Sequence, residues 1–155
     1  MKRKKSQVWY KEGLCFECTQ CGDCCTGEPG LVQFVPEEGL AMAQTLDLSV
    51  EDFLREFAEE VEGEEHWTLK EKVTDFGHDC VLLERCEDTG KTSCRAHASR
   101  PSQCRTWPFW PENLRSRRNW KKAAKQCEGI GRGDLIPLRV IQEEMDKTPE
   151  WGRAR

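Results

Sequence analysis

The concentration of cysteine near the start of the chain constrains its fold more than any other sequence feature. The chain has 155 residues and ten cysteines, and five of them fall within eleven residues, at Cys15, Cys18, Cys21, Cys24 and Cys25. The remainder are spread further along, at Cys80, Cys86, Cys94, Cys104 and Cys127. Buried free thiols explain single cysteines but not such a run. The run therefore indicates either disulfide bonds or metal ligation.

Disulfide bonds are the weaker of these two interpretations. Disulfide-rich chains are typical of secreted proteins. Residues 1–5 are basic, as at the start of a signal peptide, but residues 6–12 supply no apolar segment. No stretch approaches the roughly 18 apolar residues that a membrane span requires. We therefore expect a cytoplasmic protein, without a membrane segment, whose cysteines bind metal.

Composition and pattern together predict a small α+β domain. Hydrophobic residues make up 37% of the chain and charged residues 34%, which excludes a large apolar core. We expect a single domain with short strands and about three helices, stapled by cysteine-ligated metal. Its predicted parts are a basic N-terminal arm over 1–14, a metal-binding domain over 15–146 and a flexible tail over 147–155.

Local signals place the main elements. Alternating residues predict strands at 31–35, 67–73 and 80–83, the last two forming a hairpin. Pro36 with two following acids predicts the start of one helix, and Ser49 with Asp52 predicts the N-cap of the next. The second helix is expected to run through Val61, and the first to bury Leu40, Ala43, Leu46 and Leu48. A further helical segment is predicted at 120–126 and a last helix at 137–146.

The spacing of the cysteine run suits metal binding. A CxxC pair lets two thiolates bind one metal ion from a single turn, and here it extends to Cys18-x-x-Cys21-Gly22-x-Cys24-Cys25. Gly22 is expected to take a positive φ angle that turns the chain back. Bacterial ferredoxins use a CxxCxxC run for three corners of a 4Fe-4S cluster, but the Cys-Pro that follows there is missing here. Zinc therefore remains an alternative to an iron–sulfur cluster.

Because Cys24 and Cys25 are adjacent in the chain, the number of metal centres that the cysteines bind is in question. Cys24 and Cys25 are expected to point their sulfurs apart and so to serve two different centres, or one centre and one reserve. Eight ligands would make two four-sulfur sites, or one cluster and one mononuclear site.

These motifs resemble the YkgJ-like cysteine cluster family, a CxxCxxCC domain proposed to chelate zinc or iron. The resemblance is carried by the cysteine run with Phe16, by Cys80-Val81-Leu82-Leu83, by Arg100-Pro101-x-x-Cys104-Arg105-x-x-Pro108-Phe109, and by Cys127-x-Gly129-Ile130-Gly131. It implies eight metal ligands: Cys18, Cys21, Cys24, Cys25, Cys80, Cys94, Cys104 and Cys127. Cys15 and Cys86 are additions to the family pattern and are expected to be free thiols.

Three classes of function follow from these observations. We favour a protein that holds an iron–sulfur cluster, 4Fe-4S by the ferredoxin comparison, or Zn²⁺, in a redox or cluster-linked role with a protein partner. A structural zinc module for protein interaction is the first alternative. A metal-dependent enzyme is the second, because the family resemblance extends to flagellin lysine N-methylases, and this implies a methyltransferase. The substrate of such an enzyme is unknown.

Residues around the cysteines suggest supporting roles. Arg100 and Arg105 flank Cys104 and are expected to offset the negative charge of a thiolate centre. The aromatic segment 107–111 is expected to cover the metal site. The three histidines have no HxxxH partner, so we expect surface or turn positions, and only His97 is close enough to Cys94 to be considered a ligand.

The charge distribution bears on partners. Residues 36–65 contain eleven acids and one base, whereas residues 95–125 contain nine bases and one acid. Two such segments can attract each other within the fold, or the basic one can receive an acidic partner. We expect no nucleic acid partner, because the net charge is −4 and basic residues do not alternate with aromatic ones.

Overall fold

The computed structural model describes residues 7–150 and confirms the predicted α+β class. Over these residues the chain forms six α-helices: α1 Pro36–Thr45, α2 Val50–Phe57, α3 Ser102–Arg105, α4 Pro111–Leu114, α5 Arg117–Ala124 and α6 Leu138–Lys147. More helices form than the three predicted, because α3 and α4 are four-residue turns, too short for a visible apolar period. None of the helices in this part of the chain combines the length and apolar character needed to cross a bilayer.

Nine short strands lie between the helices in the same described part of the chain. They are β1 Leu14–Phe16, β2 Gln33–Phe34, β3 Ala58–Glu60, β4 Trp67–Leu69, β5 Glu71–Thr74, β6 Gly77–Cys80, β7 Leu83–Arg85, β8 Thr92–Cys94 and β9 Ile130–Ile136. They pair antiparallel in four small sheets, ordered β2-β4-β3, β1-β9, β5-β6 and β7-β8. The predicted hairpin is only partly right. β5 and β6 form a hairpin, but its second strand is Gly77–Cys80, so the predicted strand 80–83 is divided between the end of β6 and the start of β7. Its first strand is shorter than predicted, because the chain divides at Lys70 and β4 pairs with β2 and β3 instead.

The first helix begins where its local signals predict. Pro36 lies in the first turn, and Glu38 Oε2 accepts a hydrogen bond of 3.1 Å from the backbone N–H of Val35. The predicted buried face is only partly right. Met42 and Ala43 are fully buried, whereas Leu40 is 46% exposed.

The second helix also begins as predicted but ends early. The Ser49 hydroxyl accepts a 3.1 Å hydrogen bond from the backbone N–H of Asp52, which caps α2. The helix ends at Phe57 and not at Val61, because the chain continues as β3 and pairs with β4. Strand pairing across the sheet thus overrides the helical pattern of the acidic segment.

Two apolar clusters form the core of the molecule. The first lies between α1, α2 and the β2-β4-β3 sheet, and its buried members are Phe34, Met42, Ala43, Phe53, Phe57, Ala58, Leu69, Leu82 and Ala96. The second joins the β1-β9 sheet to the C-terminal helices, with buried Tyr10, Phe109, Leu114, Trp120 and Ile141. Two modest clusters match the limited apolar content of the sequence.

Packing continues beyond the cysteine-containing region at both ends. Tyr10, within the predicted arm, is buried in the second cluster. Thr148 is buried as well, and its hydroxyl bonds that of Thr106 at 2.9 Å. Residues 1–6 and 151–155 lie outside the described residues, so the predicted basic start and the end of the tail lie there. The predicted domain boundaries stay predictions.

Candidate metal centre

The Cys24–Cys25 pair is presented by a tight turn that only glycine can start. Gly22 has φ +82°, which confirms the positive angle predicted, and the backbone N–H of Cys25 bonds the Gly22 carbonyl at 2.9 Å. A Cβ atom at Gly22 would lie 2.5 Å from the Thr92 hydroxyl oxygen. That hydroxyl donates a 2.9 Å hydrogen bond to the carbonyl of Gln20, so the space is already taken.

The two adjacent sulfurs do not point apart. Residues Asp23–Cys25 form one 3₁₀ turn, and the Sγ atoms of Cys24 and Cys25 lie 3.8 Å apart. The expectation that these thiols diverge is therefore wrong, because the 3₁₀ turn curls both side chains to one side. Two sulfurs bound to one tetrahedral metal at about 2.3 Å would also stand about 3.8 Å apart.

Three further cysteines come from separate elements. Cys80 ends β6 opposite Glu71, Cys94 ends β8 opposite Leu83, and Cys104 lies in α3. All three are half-buried. The short strands therefore bring their last residues toward the Cys24–Cys25 turn.

Gln103 and Glu38 fix the helix that carries Cys104. The buried Gln103 side chain donates to the carbonyl of Leu31 at 2.8 Å and accepts from the backbone N–H of Gln33 at 3.2 Å. Glu38 accepts from the backbone N–H and the hydroxyl of Ser102, at 2.8 and 2.6 Å. These bonds tie α3 to β2 and α1.

The five cysteines Cys24, Cys25, Cys80, Cys94 and Cys104, here termed the thiol group, influence one another electrostatically. The hydrogen bond between Cys24 and Cys25 lowers the pKa of Cys24 to about 7 and raises that of Cys25. Burial raises the pKa of Cys80 to about 11. Burial also raises the pKa of Cys104, and Cys80, Cys24 and Cys94 raise it further. Such a group favours binding of a cation, which relieves the repulsion between thiolates.

The thiol group is not arranged as a finished coordination shell. Among residues 7–150, no three His, Cys, Asp or Glu side chains have the mutual placement that holds a metal ion. Metal binding here would therefore require the thiols to turn toward a common point. Soft sulfur donors suit iron–sulfur clusters and zinc, so the chemistry of the group fits either.

Arg100 lies close enough to the thiol group to act on its members electrostatically. Burial raises the pKa of both Cys94 and Cys104, and the Arg100 guanidinium opposes this rise. Arg100 itself donates a 3.0 Å hydrogen bond to the His97 carbonyl. Arg105 lies elsewhere on α3, 3.9 Å from Glu38 and bonded to the Ser102 hydroxyl at 3.0 Å. Its predicted role toward the thiols stays a prediction.

The remaining predicted ligands are Cys18, Cys21 and Cys127, and they lie on two other chain segments that contact each other. The backbone N–H of Glu17 bonds the Gly129 carbonyl at 3.1 Å, and the Thr19 hydroxyl donates to Glu128. These contacts place the loop that carries Cys18 and Cys21 beside the segment that carries Cys127. Cys18 is exposed and Cys127 is buried. Burial raises the pKa of Cys21.

The two cysteines outside the family pattern have distinct positions. Cys15 lies in β1 opposite Leu135. Cys86 is exposed in the turn between β7 and β8, where hydrogen bonds from Thr89 lower its pKa. All ten cysteines lie in the described part of the chain and are free thiols.

A small cavity beside the thiol group brings in two residues that sequence reasoning missed. It has a volume of about 30 Å³ and is lined by Cys24, Cys25, Cys80, Glu71 and His78, among others. His78 Nδ1 lies 3.3 Å from Glu71 Oε2. The signal in the sequence is the spacing, since His78 stands two residues before Cys80. Without the strand register, this spacing predicts only a surface or turn histidine.

The aromatic residues of the segment 107–111 have two different roles. Phe109 stacks on Trp120 at a ring distance of 5.8 Å, so it belongs to the second apolar cluster. Trp110 packs edge-on against Trp107 and donates from its indole N–H to the Gln103 carbonyl at 3.0 Å. The tryptophans thus brace α3, while the phenylalanine fills the core.

Thiols gathered from separate loops and strand ends of a small α+β domain define the class of a cysteine-rich, metal-binding protein. The family comparison agrees with this class. Residues 17–128 match the model of the CxxCxxCC domain, a domain proposed to chelate zinc or iron, and the chain belongs to this family. No solved structure matches the chain.

Proposed function

We propose that the protein holds a thiolate-bound iron–sulfur cluster at the thiol group and serves a redox or cluster-linked role with a protein partner in the cytoplasm. The observation that carries the proposal is that five thiols from four separate segments lie close enough to influence one another electrostatically. Once the side chains turn toward a common point, four of these thiols would supply the thiolates that a cluster needs. When bound, the cluster would supply a site that accepts and releases electrons.

The charge around the thiol group supports a redox-active centre. A four-thiolate cluster carries net negative charge, and the Arg100 guanidinium lowers the cost of adding an electron to it. Cys24 lies at the surface, so a centre held there is within reach of a partner protein. The ten free thiols agree with a reducing compartment.

The loop that carries Cys18 and Cys21 and the segment that carries Cys127 support a second group of ligands. The resemblance carried by the sequence motifs implies that these three cysteines are ligands together with the other five. The segments that carry these cysteines contact each other through Glu17 and Gly129. The three cysteines therefore suit a separate mononuclear metal site, or they could be additional ligands at the edge of the thiol group's centre.

Anaerobic reconstitution tests the proposal. Protein purified without oxygen is analysed for iron, zinc and acid-labile sulfide, then treated with ferrous iron and sulfide and reduced. We expect stoichiometric sulfide and an iron–sulfur signal in EPR and Mössbauer spectra. Zinc found after aerobic purification does not count against this result, because zinc readily enters thiolate sites. Absence of any cluster signal, with zinc retained through the treatment, would sink the proposal.

The second candidate is a structural zinc module, and the shortness of the sheets favours it. β5-β6 and β7-β8 are isolated two-stranded pairs, which are marginally stable on their own. Cys80 and Cys94 end one strand of each pair, so a shared metal would join both pairs to α3. In this case the zinc-loaded protein would melt cooperatively, chelation would unfold it, and no redox transition would be observed.

A further inference from the structure

The cavity beside the thiol group is lined by Glu71 and His78 in addition to cysteines. In the β5-β6 hairpin Glu71 stands directly opposite Cys80, and Val73 stands opposite His78. Side chains two residues apart on a strand share a face, and an opposing pair shares one too. Glu71, His78 and Cys80 therefore occupy one face of the hairpin, and all three line the cavity with Cys24 and Cys25.

The imidazole of His78 is oriented by Glu71. His78 Nδ1 lies 3.3 Å from Glu71 Oε2, and the other carboxylate oxygen accepts a 2.8 Å hydrogen bond from the backbone N–H of Gly30. A carboxylate held at both oxygens favours the tautomer with the proton on Nδ1. The Nε2 lone pair is then the one available for coordination, which is the arrangement usual for histidines that bind metals.

The backbone holds His78 against the cysteine loop as well. Its N–H donates to the Gly27 carbonyl at 2.8 Å, two residues after Cys25. A Cβ atom at the neighbouring Gly77 would lie 2.7 Å from the same carbonyl, so the hairpin and the loop touch without room for a side chain. The position of His78 relative to Cys25 is therefore tightly restrained.

We propose that His78, oriented by Glu71, is a nitrogen ligand of the metal centre, so that the centre has mixed sulfur and nitrogen coordination. This inference rests on the proposed function, since it requires a metal at the thiol group. The cavity, at about 30 Å³, has room for an ion or a water molecule. A neutral imidazole in place of a thiolate makes a centre less negative and easier to reduce.

X-ray absorption at the edge of the bound metal tests this inference on the full chain. For the wild-type protein loaded with iron and sulfide, or with zinc, we expect a light-atom shell and the outer-shell scattering of imidazole in addition to sulfur. The His78→Ala variant should lose the imidazole signal. His66→Ala should keep it, because His66 is paired with Glu64 before β4 and serves as the matched control. For a reduced cluster, pulsed EPR should show a coupled nitrogen that disappears in the same variant.

A second variant tests the role of Glu71 without removing the ligand. Glu71→Gln keeps His78 but weakens its orientation, and outer hydrogen-bond partners of this kind change metal affinity by about 10- to 100-fold. We expect weaker metal binding with the nitrogen signal retained at saturation. A wild-type spectrum with sulfur neighbours alone overturns the histidine ligand and leaves the thiolate centre standing. Failure of the wild-type protein to bind iron, sulfide or zinc at all overturns both proposals.

Discussion

Asp79 and Arg85 form an ion pair with two hydrogen bonds, from Arg85 Nε to Oδ2 and from Arg85 Nη2 to Oδ1, each of 3.1 Å. The Asp79 side chain is 1% exposed, and the Thr26 hydroxyl donates to the same carboxylate. Thr26 directly follows Cys25. The pair therefore joins the cysteine loop, the β5-β6 hairpin and β7 at a single carboxylate.

We predict that Asp79→Asn destabilises the fold. The change keeps the shape of the side chain but leaves the Arg85 guanidinium without its charged partner. Charge-assisted hydrogen bonds at a buried position contribute about 1.5–3 kcal/mol, and we expect a loss of that order in the free energy of unfolding in urea. Asp52→Asn is the control, because its ion pair with Arg55 is exposed and should change stability little. Equal effects of the two changes would show that the Asp79 pair does not hold these elements together.

The second prediction concerns Gly22. Gly22→Ala adds a Cβ that would meet the Thr92 hydroxyl at 2.5 Å, in a residue with φ +82°. Gly90 is the matched control, since it has φ +69° and nothing within 4 Å of an added Cβ. Both changes cost about 1–2 kcal/mol for the left-handed backbone. Only Gly22→Ala should also weaken metal binding, measured by competition with a chelator, because only it displaces the Cys24–Cys25 turn.

The third prediction separates the ligands from the additional cysteines. Cys104→Ser should lose metal and cooperative unfolding together, because the free energy of metal binding contributes to folding. Cys86→Ser should leave both nearly unchanged, since Cys86 is exposed in a turn. Metal content and thermal melting are measured on the same samples. Full metal content in Cys104→Ser would remove Cys104 from the ligand set, and a large metal loss in Cys86→Ser would add Cys86 to it.

The fourth prediction concerns the arginines around Cys104. Arg100→Gln removes a cation that acts on Cys24, Cys94 and Cys104, so a bound cluster should become harder to reduce. Its midpoint potential, measured by redox titration, should fall. Arg105→Gln should produce a smaller fall, because the Arg105 guanidinium lies beside Glu38. A larger fall in midpoint potential for Arg105→Gln than for Arg100→Gln would show that Arg105, and not Arg100, acts more strongly on the cluster.

The fifth prediction is a pH dependence at Tyr10. Burial raises the pKa of Tyr10 above its ordinary value of 10.0, and Asp146 raises it further. The folded state therefore retains the phenol proton longer than the unfolded state does. This contribution to stability is fully present below pH 10 and is lost as the pH rises through the raised pKa. Tyr10→Phe should become relatively more stable than the wild type above pH 10, as measured by urea unfolding across that range. A constant difference would show that the pKa of Tyr10 is the same in the folded and unfolded states.

Features that depend on neighbours along the chain were predictable from the sequence. The capping hydrogen bond between Ser49 and Asp52 and the positive φ angle of Gly22 were both predicted, because each is decided within a few residues. The α+β class and the family also followed from the order of the motifs. Local interactions of this kind can be predicted from the sequence, because the interacting residues are a fixed number of positions apart.

Contacts between residues that are distant in the chain were not predictable in this way. The β3 strand replaced the end of the predicted second helix because its partner, β4, follows an acidic turn that no helical period describes. The convergence of Cys24 and Cys25 depended on a 3₁₀ turn, and the position of His78 depended on the register that places Glu71 opposite Cys80. A one-residue slip in that register would reverse the faces of the hairpin. Strand pairing is set by packing between distant segments, and for that reason the sequence predicted a set of cysteine ligands but did not place His78 beside Cys80.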